Sequence, residues 1–208
     1  MAVGNIFLGS VKKFNQQQIE TRFTLVILPL IPQYSMVIVG KEKSGREGFR
    51  IKLHRQSVIA GYLRAPLTVG SLTAILIAGD RPGTLSITIA VLLTLAALYM
   101  LFLYGHTRPE EKEERALMME LTGIAAMASW FDEESCQVQY DAINESYKDN
   151  YANNNWKTDL QNNNINYQKM PLIYGLAIFN ATIHPSVENR ALRNKAKMLY
   201  DGMKKVYG

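Results

Sequence analysis

The run "TLSITIAVLLTLAALYMLFLYG", Thr84 to Gly105, contains no charged side chain. No other feature of the chain restricts its fold so strongly. A helix rising about 1.5 Å per residue crosses the ~30 Å hydrocarbon core of a bilayer in about 20 residues, and this run is long enough to do so. A core helix of this length with no polar face would be unusual in a chain of 208 residues. Tyr99 and Tyr104 fall towards the C-terminal end, where amphipathic rings favour the headgroup level. The run predicts a transmembrane helix.

The segment before it, "APLTVGSLTAILIAG" (Ala65–Gly79), is shorter and as a helix covers only about 22 Å. Extending it back through "SVIAGYLR" restores the length if Arg64 snorkels to the headgroups. Pro66 offers the alternative of a break between an interfacial helix and the spanning one, because a residue before proline avoids the helical region. "DRPG", Asp80–Gly83, has the residues of a tight turn, so the two spans (about 65–79 and 84–104) form an antiparallel hairpin. Gly70, Ala74 and Ala78 share one helix face, and Ala90, Thr94 and Ala97 share another. Small faces permit close packing in lipid, and these six residues are the helix-packing candidates.

Charge sets the orientation. Residues 1–64 carry ten Lys and Arg against three acids, and residues 65–106 hold only Asp80 and Arg81. Residues 107–208 carry twelve Lys and Arg against fourteen acids, which is no basic footprint, so no nucleic-acid partner is expected. Lys41, Lys43, Arg46, Arg50, Lys52 and Arg55 precede the first span, and Arg108, Lys112 and Arg115 follow the second. By the positive-inside rule both termini are cytoplasmic, and a multi-pass protein of the inner or plasma membrane is expected. The N-terminus has no charged region ahead of an apolar core, so no cleavable signal peptide is expected. The single cysteine, Cys136, excludes an internal disulfide and a Cys-based zinc cage.

A second uncharged stretch, Phe23–Gly40, poses a choice between a third span and the interior of a small sheet. Pro29 and Pro32 remove backbone donors, and "FTLVIL" and "YSMVIV" are rich in β-branched and aromatic residues. After the loop "GKEKSGREG", Phe49, Ile51 and Leu53 alternate with Arg50, Lys52 and His54, the period of a half-buried strand. The order strand, Pro-x-x-Pro turn, strand, loop, strand predicts a β-rich cytoplasmic module over residues 1–56. Arg50, Lys52, Arg55 and Arg64 are candidates for contact with lipid headgroups. "TRFTLVILPLIPQYSMVIV", residues 21–39, resembles the T-[RK]-[FW]-x-L-x-x-[IL]-P-[LIV]-[IV]-P stretch of uncharacterised small prokaryotic membrane proteins, some of them zinc-ribbon-like. The resemblance implies a membrane protein of that kind, but the Cys pairs that would hold zinc are missing here.

Thr107 with Glu110 has the spacing of a capping box, and Pro109 suits a first helical turn, so a helix is predicted to run on to about Phe131. Its apolar half, "ALMMELTGIAAMASWF", must pack on later helices or offer a protein interface around Met118, Ile124 and Trp130. Later helices are expected in "SCQVQYDAINESYKDNY", "MPLIYGLAIFNATI" and "VENRALRNKAKMLYDGMKKVYG", with a loop or short helix in "NNNWKTDLQNNNINY". In the last helix Val187, Ala191, Met198, Leu199 and Met203 keep helical spacing. "FDEES" reads as an acidic helix start rather than a cation site.

The expected architecture is an integral membrane protein with three parts. They are the β-rich module, a helical hairpin over 57–106 and an all-α cytoplasmic domain over 107–208. Cys136 and His184 are the one Cys–His combination in that last domain and carry no further motif. No phosphate-cradling glycine loop, dinucleotide fingerprint or metalloprotease helix occurs, so no catalytic, cofactor-binding or metal residue is assigned and no enzyme is expected. Two readings of function stay open. One is a membrane-anchored interaction or scaffold protein that binds other proteins or itself. The other is an accessory subunit of a larger transport or energy-transducing complex. Neither span carries an ionisable residue at its middle, as an ion path would require.

Overall fold

The described parts of the uncharged stretch, residues 23–25 and 31–40, are strands of a β-sheet. The computed structural model describes residues 4–25, 31–42, 45–151 and 154–207, and the chain divides into two compact units, Met1–Arg108 and Pro109–Gly208. The first begins with β1 (Gly4–Phe14), β2 (Gln17–Leu25), β3 (Ile31–Glu42) and β4 (Gly45–Ile51), an antiparallel meander in the order β1-β2-β3-β4. Pro29 of the predicted turn lies outside the described residues. Pro32 stands in β3 opposite Phe23, where the register with β2 shifts, as befits a residue with no ladder donor.

Two features of the sheet differ from the sequence expectation. The charged "GKEKSGREG" is mostly strand rather than loop, since Gly40, Lys41 and Glu42 pair with Glu47, Arg46 and Gly45. β1 was not anticipated, because its alternation is broken by register shifts between Leu8 and Val11 and between Val11 and Phe14. At the first shift Gly9 (φ +71°) allows an approach that no side chain could, because a Cβ there would lie 1.8 Å from the Ser57 carbonyl oxygen. β1 turns into β2 through Asn15 and Gln16, both at positive φ (+42° and +67°), the conformation of a two-residue hairpin loop.

Next come α1 (Arg55–Asp80) and α2 (Thr84–Leu98), which continues into a π-helical turn, Tyr99–Leu103. α1 runs unbroken through Pro66, so the alternative of a break at that proline is not taken. Its first turns pack on β1 and β2, where buried Val11, Ile19, Phe23 and Val37 form the core with Ala60. Three buried hydroxyls lock helix to sheet. Thr21 Oγ1 lies 2.8 Å from Ser35 Oγ and donates to Ser57 Oγ at 2.8 Å, and Ser57 donates to the Gly9 carbonyl at 2.7 Å. Every oxygen in that chain has a partner, so its burial costs little. Sheet and hairpin, expected as separate regions 1–56 and 57–106, thus belong to one unit.

The second unit is all-helical. It holds α3 (Pro109–Thr122), a 3-10 turn (Ala128–Trp130), α4 (Glu133–Asn150), α5 (Trp156–Gln161), α6 (Met170–Ile183) and α7 (Val187–Tyr207). α6 is the hub, in contact with α3, α4, α5 and α7, and residues 173–181 are all buried. An apolar helix without a polar face needs such a wrapping. α3 ends nine residues short of the expected Phe131, because Gly123 adopts φ +74° after it and breaks the helical run. On α7 the buried residues are Leu192 and Ala196, while Val187 and Met198 are 85% and 69% exposed. The spacing in that helix allows more than one apolar stripe, and packing against α6 selects one that the sequence reading did not choose. "FDEES" is the start of α4, where the Asp132 carboxylate accepts from the Ser135 amide at 2.7 Å.

Candidate functional site

α1 and α2 face each other along small residues. Ser71, Ala90 and Ala97 are buried at their contact. Of the six packing candidates, Ala90 and Ala97 are buried and Ala74, Ala78 and Thr94 half-buried. Gly70 is half-buried but has no heavy atom within 4 Å of a Cβ built on it, so it permits no close approach. Its neighbour Ser71 takes the central position and lies 2.9 Å from Thr94, hydroxyl to hydroxyl. Thr94 also donates to the Ala90 carbonyl at 2.7 Å. The expectation of small faces did not include this polar pair, which bridges the two helices at mid-length.

Outside that seam the hairpin is apolar and open. Leu72, Ile75 and Leu76 on α1, and Leu85, Val91, Leu92 and Leu95 on α2, are all exposed, Leu85 at 74% and Leu92 at 62%. Two helices, Arg55–Asp80 and Thr84–Leu103, are long and apolar enough to cross a membrane. Their turn holds an exposed pair, Arg81 and Asp80, 3.6 Å apart.

The foot of the hairpin, beside β1, carries a second dense set of polar contacts in this unit. Arg64 does not extend freely. Its Nε donates to the Met100 carbonyl at 2.9 Å, Nη1 to the Ser10 carbonyl at 2.6 Å and Nη2 to the Tyr104 carbonyl at 3.5 Å. Met100 and Tyr104 lie in and just after the π-turn, where the wider winding leaves carbonyls without their usual partners. The predicted snorkelling of Arg64 is therefore replaced by a lock on three backbone carbonyls. The Lys12 amide donates to Gly105 at 2.7 Å and its ammonium to the His106 carbonyl at 3.2 Å, while the Thr107 hydroxyl donates to Lys13 at 3.0 Å. Around these groups a cleft of about 420 Å³ is lined by Lys12, Lys13, Arg64, His106, Leu101 and Phe102, among others.

The other headgroup candidates do not join it. Arg50 stacks over Tyr34 at 4.7 Å, Lys52 is exposed in the connection after β4, and Arg55 is exposed at the start of α1. Arg64 lies nine helical steps after Arg55, about 13 Å along the axis, more than a Debye length at physiological salt.

The second unit holds a buried polar cluster around Asp159. Asp159 accepts from Tyr147 at 2.5 Å, from Lys169 at 3.1 Å and from Asn164 at 3.0 Å, and the Lys169 ammonium also lies 5.1 Å from the Tyr151 ring centre. Burial pushes the Asp159 carboxyl up, but the bonds from Tyr147, Lys169 and Asn164 outweigh it and hold it below the usual carboxylate range. Burial and the neighbouring carboxylate push the Tyr147 phenol up. The group ties α4, α5 and α6 together. Glu114 on α3 meets Arg193 on α7 at 3.1 Å. Burial raises the Glu114 carboxyl, with Arg193 pulling against it.

Two of the three interface candidates fall in the core. Met118 and Ile124 are buried, and half-buried Trp130 lies under the Arg115 guanidinium at 5.4 Å, so most of this stripe is covered within its own unit. Cys136 is buried and donates to the Ala128 carbonyl at 3.2 Å, while His184 is exposed at the end of α6, so the two form no pair. Among the described residues no group of three or more His, Cys, Asp or Glu could hold a metal ion. No family model matches the chain, and comparison with curated proteins and with solved structures found no match.

Proposed function

We propose that the chain is a two-pass membrane anchor that carries a basic sheet at its foot and a helical module after it. The hairpin lies in the bilayer with both termini cytoplasmic, and the protein acts as an interaction or scaffold element. One observation carries the reading: the apolar side chains of α1 and α2 point outward. A core helix of a water-soluble protein hides its leucines, whereas here Leu72, Leu76, Leu85 and Leu92 stand in the open. Monomeric soluble proteins rarely expose contiguous apolar patches beyond a few hundred Å². Charge supports the orientation, because Met1–Arg108 carries twelve Lys and Arg against four acids and only Arg81 and Asp80 sit at the far turn.

Carbonate extraction of cell membranes tests the anchor. The full chain is expected in the pellet, and release into the wash refutes it. Single cysteines placed at Gly83 and at Lys13, in a background with Cys136 replaced, test the orientation. Gly83 is expected to react with an impermeant thiol reagent from outside and Lys13 only after lysis.

A further inference from the structure

We propose that the cleft at the foot of the hairpin binds the phosphate-bearing headgroup of an anionic phospholipid, a reading that rests on the membrane placement above. The cleft brings together Lys12, Lys13 and Arg64 with the His106 imidazole, and no carboxylate lines it among the described residues. Arg64 spends its donors on neutral backbone carbonyls of Ser10, Met100 and Tyr104. Those bonds fix the direction of the guanidinium and leave its charge uncancelled. Lys12 is 3% exposed, with its ammonium on the His106 carbonyl. Positive charge gathered in a partly buried cleft, away from the full screening of water, favours an anion strongly.

The shape identifies which anion. Leu101 and Phe102 line the same cleft and are exposed, and from there the apolar belt of α2 continues through Leu98 and Leu95. One end offers ammonium and guanidinium groups, and the other offers open hydrocarbon that leads into the spanning part. A diacyl lipid with a phosphate headgroup matches both ends, whereas free phosphate matches only the first. Arg64 also sits where α1 leaves the sheet to enter its apolar stretch, which is the headgroup level if the hairpin spans.

The test is native mass spectrometry of the full chain in mild detergent, titrated with phosphatidylglycerol or with phosphatidylcholine of the same acyl chains. Inorganic phosphate is added in a third series as competitor. Phosphatidylglycerol is expected to be retained in preference. Lys13→Ala is expected to weaken that retention about fivefold, the effect of one cation near an anionic surface. Lys13 suits the purpose because its side chain is exposed and its hydrogen bond to Thr107 runs through the backbone carbonyl, which the substitution keeps. Arg81→Ala, at the opposite turn, is expected to leave retention unchanged. Equal retention of the two lipids, or no effect of Lys13→Ala, overturns the site and leaves the Arg64 lock as architecture alone. Displacement of phosphatidylglycerol by an equal concentration of inorganic phosphate also overturns it, in favour of a free-anion site. A chain recovered from carbonate wash fails the membrane reading itself, so the two failures are distinguishable.

Discussion

α2 and α6 are both apolar helices without a charged residue, and the fold treats them in opposite ways. α6 is wrapped by α3, α4, α5 and α7, with Leu176 and Phe179 fully buried. α2 packs on α1 along one seam, and Ile87, Leu92 and Leu95 face outward. Burying an apolar side chain stabilises by about 1.5–3 kcal/mol relative to water, so a chain folding in water would not leave α2 bare while covering α6. The pair teaches that an uncharged apolar composition alone does not decide whether a helix is wrapped or left bare. The supply of covering partners does.

The largest effects come from putting one carboxylate on each helix. Leu176→Glu places an unpaired charge among buried side chains and is expected to unfold the second unit. Both tryptophans lie there, so a red shift of tryptophan emission in the full chain reports it. Leu92→Glu is expected to leave that emission unchanged and to weaken membrane insertion by about 3 kcal/mol, seen as less protein in the carbonate pellet. If Leu92→Glu instead improves yield and solubility with no loss from the pellet, the contrast between the helices collapses.

Asp159→Asn strands the Lys169 charge in the second unit and is expected to cost about 3–5 kcal/mol of its stability. The pH dependence has a definite sign. The folded Asp159 carboxyl lies below its ordinary value, so its contribution is complete above the ordinary Asp range and is lost as pH falls through the lowered value. Glu114, held high by burial, works in the opposite sense, since its protonation at low pH relieves part of that penalty. Urea melts followed by tryptophan emission should therefore show a loss of midpoint under acid that is smaller in Asp159→Asn.

The seam of the hairpin gives smaller effects. Ala90→Phe overfills a buried position and is expected to cost about 1–3 kcal/mol, visible as greater protease access at the turn, while Gly70→Ala meets open space and should be silent. Ser71→Ala removes one interhelical hydrogen bond, worth about 0.6 kcal/mol in lipid, and should barely move the same assay.

The parts legible in sequence were those written in local pattern. The uncharged run at Thr84, the "DRPG" turn and the six-residue alternation from Phe49 depend only on neighbours along the chain. The alternation was only partly informative, since Ile51 is buried while Phe49 and Leu53 are 46% and 50% exposed. They occupy the edge strand and the chain just beyond it, which α1 does not cover. The foot of the hairpin was not legible, because Arg64 finds Ser10 fifty-four residues away and Met100 thirty-six away. Lys12 and Asn15 at positive φ, neither a glycine, likewise leave no mark that a period could reveal.

By itself the sequence determined that two apolar helices joined by a short turn follow a β-rich module, and that a helical region follows them. Backbone hydrogen bonding and side-chain period along the chain favour these elements before any distant partner is chosen. Only the tertiary structure decided which apolar helix is wrapped and which is bare, which stripe of α7 turns inward, and where Arg64 places its charge. Each of those outcomes depends on competition among distant partners for the same surface, and a linear pattern ranks candidates for burial without saying what arrives to cover them.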